Sequence, residues 1–300
     1  MKLAPIVLFV YNRPWHTRQT VEALQQNELA NDSELFIFSD GAKDEMATKH
    51  VNDIRDYIRT IDGFKKIEII ERDKNIGLAN SIISGVTKII NKYGKVIVLE
   101  DDLISSNKFL AFINQALDWY SDENNIFSVS GYNFPIQIPS NYKYDGYCSY
   151  RSMSWSWGTW LDKWEKADWE VKDYNEFVID KNAKKLFNRG GDDLTDILKL
   201  QMNGKIDSWS IIWDYTHFKH NAFSFCPVKS KIYNIGFDGS GVHSSNNNVM
   251  QQKIKTEDTS QFHFFQGILV DDQFIKSVKK IHRYTFRRKI KKIMKTIMKK

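Results

Sequence analysis

Three consecutive carboxylates, Glu100-Asp101-Asp102, follow the aliphatic run Val96-Ile97-Val98-Leu99. The run reads as a buried strand that ends where the chain turns toward solvent. Neighbouring carboxylates repel, so a cation is their natural partner. Hard oxygen ligands of this kind suit Mg2+ or Mn2+ carrying a diphosphate. The same acids equally suit the first turn of a helix, because residues 105–120 carry a helical pattern.

The elements that must position these acids alternate strand and helix. Ile6-Val7-Leu8-Phe9-Val10, Glu34-Leu35-Phe36-Ile37-Phe38 and Lys66-Ile67-Glu68-Ile69-Ile70 read as three strands before the acidic-tipped fourth. A wide apolar stripe of Leu78, Ile82, Ile83, Val86, Ile89, Ile90 and Tyr93 predicts a helix that Gly94 stops. This order implies an α/β fold with a mostly parallel sheet and helices on both faces. Ligands of such sheets bind beyond the carboxyl ends of the strands. Tyr11-Asn12-Arg13-Pro14, Ser39-Asp40-Gly41, Glu71-Arg72-Asp73 and Glu100-Asp101-Asp102 should therefore face one site.

Composition and charge set the outer limits. With 300 residues, 42% of them hydrophobic and 14% aromatic, the chain can bury a substantial core, which excludes a disordered protein. Two cysteines, Cys148 and Cys226, are too few for a disulfide framework and lack metal-ligand spacing, as expected in a reducing compartment. The start of the chain carries no signal-peptide pattern and no apolar run is long enough to span a membrane, so a cytoplasmic location is expected. Residues 279–300 hold eleven Lys or Arg and no acid, so the +6 of the whole chain becomes −5 without them. A mildly acidic body argues against nucleic acid as a partner. In the tail, Ile290, Ile293, Met294, Ile297 and Met298 fall on one helical stripe with lysines around the rest. That pattern predicts a basic amphipathic helix lying on an anionic membrane, peripheral on its inner face; a solvated tail or an RNA-binding arm is the alternative.

In order and spacing, Phe9-Val10-Tyr11-Asn12-Arg13-Pro14, Ser39-Asp40-Gly41, Asn75-Ile76-Gly77-Leu78-Ala79-Asn80-Ser81 and Leu99-Glu100-Asp101-Asp102 resemble the glycosyltransferases of the GT-A (Rossmann-like) fold. The likeness is to family 2-like enzymes and to N-acetylglucosaminyltransferase I, and it covers roughly the first half of the chain. It implies a nucleotide-diphosphate sugar donor, a UDP-sugar being favoured. Asp40 would lie near the base, and Arg72 with the turn containing Asn75, Gly77 and Asn80 near the ribose or diphosphate. Asp102 would be the principal metal ligand, with Tyr11, Asn12, Arg13, Glu100 and Asp101 around the donor. Without the resemblance, Asp40 reads as turn chemistry before Gly41, and Asn75-Ile76-Gly77 as the turn that opens a helix.

The second half breaks the alternation and is expected to build the acceptor side of the same domain. Trp155 and Trp157 are candidates to stack on a sugar ring, joined by Trp209, whereas Trp160 and Trp164 have the spacing of core residues. An inverting transfer needs a carboxylate to take the acceptor's proton. Asp207 fits that role, with Asp214 as second candidate; the plain reading makes Asp207 the N-cap of the helix that follows. The loop Asn234-Ile235-Gly236-Phe237-Asp238-Gly239-Ser240-Gly241-Val242-His243 has glycines for close approach to a phosphate, and His243 is a candidate contact to the metal.

These readings divide the chain into a nucleotide-sugar half (1–130), an acceptor and catalytic half (131–275) and a basic tail (276–300). The expected activity is a Mn2+- or Mg2+-dependent inverting hexosyl or N-acetylhexosaminyl transfer to a glycan or lipid-linked acceptor in surface polysaccharide synthesis. Two other classes compete. A nucleotidyltransferase acting on sugar phosphates would normally carry a glycine-rich loop after the first strand, and Tyr11-Asn12-Arg13-Pro14 has no glycine. A catalytically silent carbohydrate-binding protein would use the tryptophans alone.

Overall fold

Each of the four aliphatic runs is a strand, and the strands are parallel neighbours in one sheet: β1 (Ile6–Val10), β2 (Glu34–Ser39), β3 (Lys66–Glu71) and β4 (Lys95–Glu100). They are seen in a computed structural model that describes residues 2–239, 254 and 260–282. Alternate residues of the strands feed two cores. Ile6, Leu8, Leu35, Ile37, Ile97 and Leu99 meet Val21, Leu24, Ile54, Ile58, Phe112 and Ile113 from the helices Pro14–Gln25, Glu45–Ile58 and Phe109–Trp119. Val7, Phe9, Phe36, Phe38, Val96 and Val98 meet Ile82, Val86 and Ile89 of the helix Leu78–Tyr93. Burial on both faces is why these strands read as continuous apolar runs.

The second half adds β5 (Leu103–Ser105), β6 (Ile126–Ser130), β7 (Gly146–Ser149), β8 (Trp157–Trp160), β9 (Phe223–Pro227) and β10 (Ile232–Asn234). The main sheet runs β3-β2-β1-β4-β8-β6-β9-β7, while β5 and β10 pair antiparallel in a separate ribbon. Strand β8 lies antiparallel between β4 and β6, and β9 is parallel to β6. The two halves therefore share one sheet. Strand order reverses between β1 and β4, and ligands of such sheets sit beyond the carboxyl ends of the strands at that point.

Two expectations change. The helix predicted over 105–120 begins at Phe109 with no acid in its first turn, because Leu103–Ser105 is drawn into the ribbon with β10. The acids at 100–102 are thus not a helix start. The tail boundary at 276 also moves. Residues 272–282 are helical, and Phe274, Val278 and His282 are buried, with Phe274 stacked on Tyr147 at 4.3 Å. The packed body runs through residue 282. The stripe Ile290, Ile293, Met294, Ile297 and Met298 lies outside the described residues. Among the described residues no helix is long and apolar enough to cross a membrane.

Candidate active site at the strand ends

The predicted acids stand where β4 ends beside β1, but they are not bare. Arg13 Nη2 donates to Asp101 Oδ1 at 2.5 Å and to Asp102 Oδ2 at 2.8 Å. The register that sets Phe9 against Glu100 brings the two strand ends level, so the first arginine after β1 meets the first aspartates after β4. Asp101 is consequently buried rather than turned to solvent. Thr20 fastens the turn from behind, donating to the Asp101 carbonyl at 2.9 Å and accepting from Leu103 N at 3.1 Å. One guanidinium faces three crowded carboxyl groups, which make one another harder to ionise. Burial, then Asp102 and Asp101, push the partly exposed Glu100 carboxyl up to about 8. Burial also raises Asp101 despite Arg13. Arg13 itself is held more firmly protonated than usual: burial opposes its charge, and Asp101 and Asp102 outweigh that.

The ends of β2 and β3 join the same rim. Asp40 N donates to the Val10 carbonyl at 3.2 Å, and Lys43 N to the Tyr11 hydroxyl at 3.1 Å. The Asp40 carboxylate accepts from Ile76 N at 3.2 Å, and Asn75 Nδ2 donates to the Gly41 carbonyl at 2.9 Å. A Cβ on Gly41 would lie 2.5 Å from the Lys74 carbonyl carbon, so only glycine lets the 74–75 backbone approach this closely. Arg72 lies over the Phe38 ring and donates to the Ser81 and Ser84 hydroxyls. Asn80 Nδ2 donates to the Ile76 carbonyl at 3.0 Å, bracing the same turn. Asp207, the candidate base, does not follow the plain reading of a cap on its own helix but reaches the start of another: Ala79 N donates to Asp207 Oδ2 at 3.3 Å. An exposed carboxylate therefore stands at the N-terminus of Leu78–Tyr93, where the helix dipole favours negative charge.

A strap from the second half closes over Asp102. Ile235 N donates to the Asp102 carbonyl at 2.9 Å, and His16 Nε2 meets Asp238 Oδ2 at 3.0 Å. A Cβ on Gly236 would sit 2.2 Å from Asp102 Oδ2 and 3.0 Å from Arg13 Nη1. This close approach is to the protein's own carboxylate, whereas the sequence pointed to a phosphate. Beside it, half-buried Trp155 packs on Phe237 at 5.4 Å and on Tyr132 at 4.4 Å. The predicted metal contact His243 lies outside the described residues.

Three predicted site residues belong elsewhere. Trp157 and Trp209 are 2% and 3% exposed and stack on each other at 4.9 Å, with Trp164 and Trp213 around them. Truncating such a side chain costs about 3–5 kcal/mol, the signature of core rather than of an acceptor wall. Asp214 is buried, and its Oδ1 accepts from Ser152 N at 2.6 Å and Ser152 Oγ at 2.8 Å. Burial, against the pull of Arg151, pushes its carboxyl up to about 6. It belongs with the Arg151–Asp193 ion pair (2.8 Å), not with the strand-end rim. No spacing in the sequence marks this cluster, since its members come from three separate segments, 151–152, 193 and 214.

The residues present fit a divalent ion of a particular kind. Among the described residues no group of three metal-ligating side chains forms a cage. An excess of carboxylate at one strand end, with Asp102 only 17% exposed at its side chain, suits an ion held by one or two carboxylates and by substrate phosphates.

No protein-family model matches the chain, and no curated protein matches it. Among solved structures, the mannosyltransferase PcManGT from Pyrobaculum calidifontis, in complex with GDP-Man and Mn2+, aligns with 63% of this chain at 11% identity and a TM-score of 0.39. S. aureus TarS aligns with 77% at 8% identity and 0.41, and its 1–349 form with 77% at 7% and 0.40. The chain spans 53%, 36% and 60% of those chains respectively. Likeness at these scores fixes neither family nor activity.

Proposed function

We infer that this chain is a GT-A-type glycosyltransferase that moves a sugar, with inversion, from a nucleotide-diphosphate donor to a glycan or lipid-linked acceptor. One observation carries the reading. The polar segments that follow β1, β2, β3 and β4 leave from the carboxyl ends of neighbouring parallel strands at the switch point of the sheet, and the carboxylate of Asp207 bonds the helix start that follows β3, which supports one shared site. In this reading Asp40 and the turn at 75–80 receive the nucleoside, and Arg72 meets the ribose or diphosphate. Asp102 would hold Mg2+ or Mn2+ together with the donor, and the ion would offset charge on the departing diphosphate. Asp207, oriented by the Ala79 amide, takes the proton of the acceptor hydroxyl. Trp155 offers an apolar face to the acceptor sugar, and the 235–239 strap shields the bond being broken from water. The basic tail would keep the enzyme at an anionic membrane on the cytoplasmic side, near a lipid-linked acceptor and growing surface polysaccharide.

Burial of Trp157 and Trp209 removes most of the platform that a silent carbohydrate-binding protein would need. The test is a panel of nucleotide sugars titrated calorimetrically with and without Mn2+, on the intact chain and on Asp102→Asn. The expected result is Mn2+-dependent binding of one donor class that Asp102→Asn, nearly isosteric, sharply weakens without unfolding the protein. No metal-dependent binding anywhere in the panel would remove the assignment.

A further inference from the structure

We propose that Arg13 is the resident cation of the acidic strand end and bars a bare divalent ion from it, so that metal enters only together with a diphosphate. The proposal rests on the reading that Asp102 meets a divalent ion. Arg13 Nη2 occupies the point between Asp101 Oδ1 and Asp102 Oδ2 that an incoming cation would take. It is not a loose surface side chain. Its carbonyl accepts from Thr17 N and Thr17 Oγ1, both at 3.0 Å, which fixes it at the mouth of the helix Pro14–Gln25. Gly236 packs against the same pair, where a Cβ would lie 2.2 Å from Asp102 Oδ2 and 3.0 Å from Arg13 Nη1.

A bare ion must break a charge-assisted bond and then sit beside a positive charge a few ångströms away. At an effective dielectric of about 20, such a neighbour lowers cation affinity by at least roughly tenfold. A metal–diphosphate changes the balance because it brings its own anions. The planar guanidinium binds phosphate with the same fork that it offers a carboxylate. Arg13 Nη1 is buried and makes no hydrogen bond, so it is a donor in wait for an acceptor. Handing the guanidinium from Asp102 to the diphosphate would free the carboxylate oxygen for the ion in the same step.

The experiment is Mn2+ binding, followed by the electron paramagnetic resonance signal of free Mn2+, on the full chain, Arg13→Gln and Arg13→Lys, each alone and with UDP. Thermal unfolding of each variant checks its fold. The wild type should bind bare Mn2+ at least roughly tenfold more weakly than Mn2+ with UDP. Arg13→Gln should bind bare Mn2+ about tenfold or more tightly than wild type while losing affinity for UDP, and Arg13→Lys, still cationic, should stay near wild type for bare Mn2+. A folded Arg13→Gln that binds bare Mn2+ no better overturns the proposal. So does a wild type that takes up bare Mn2+ as well as Mn2+ with UDP, a measurement that needs no variant. If Asp102→Asn leaves Mn2+ uptake with UDP unchanged, the parent reading of Asp102 fails instead.

Discussion

Asp207 engages the Ala79 amide through one oxygen while the residue as a whole stays exposed, and this determines what a substitution there should do. Asparagine keeps a carbonyl oxygen for the Ala79 amide but has no carboxylate to accept a proton. Asp207→Asn should therefore keep donor affinity near wild type while transfer falls by roughly 10²-fold or more, the usual scale for a lost general base. Parallel measurements of donor binding and turnover check this, and unchanged turnover would return the role to another group. At this scale the positions were legible: Asp40, Arg72 and Asp102 follow strand ends and Asn75 lies in the turn after β3, as the order of elements places them. Trp155 and Trp157 were not separable by residue type, because what distinguishes them is that β8 begins between them and is covered on both faces. The Arg13 bridge needed the β1–β4 register, which no local pattern carries.

Among the elements, the helix over 272–282 departs most from what charge and periodicity implied. Its lysines share the sequence with a buried stripe of Phe274, Val278 and His282, four residues apart and hence on one face. His282 sets Nδ1 3.5 Å from Asp193 Oδ2, beside the Arg151 ion pair. Ending the chain after His282 should leave the thermal midpoint nearly unchanged and abolish flotation with anionic vesicles at low salt. Ending it after Ile275 should lower the midpoint by several degrees, since losing Val278 and His282 uncovers core worth roughly 2 kcal/mol or more. Equal flotation of the full and 282-residue chains would sink the membrane role of the tail. The helix Leu78–Tyr93, by contrast, runs from Leu78 to Tyr93 as its stripe predicts, because a wide apolar face and a terminal glycine leave it little choice.

For the whole molecule, the antiparallel insertion of β8 is the feature that period and propensity could not announce, since a four-residue apolar strand looks alike in either direction. Packed beside it is a buried polar network with a consequence for stability. His217 places Nδ1 2.8 Å from the Trp213 carbonyl and Nε2 3.0 Å from Ser128 Oγ, and burial depresses its pKa to about 4. The unfolded chain protonates this imidazole near 6.5, so between about 6.5 and 4 the unfolded state binds the extra proton and acid favours unfolding. Stability should be fully present above about pH 6.5 and fall as pH drops toward 4, by on the order of 3 kcal/mol from this group. Denaturant midpoints measured across that range should slope less steeply in His217→Gln, and identical slopes would remove His217 as the cause.

The same insertion also sets a timetable. Strand β4 ends at Glu100, yet the strand that covers its far edge starts only at Trp157. A ribosome adding about 5–20 residues per second leaves the edge Val96-Ile97-Val98-Leu99 waiting several seconds for its partner. During that interval the nascent chain exposes an aliphatic strand edge, the kind of surface on which aggregation starts. Lys95 and Glu100, one at each end of the run, are then the charges nearest to guard it.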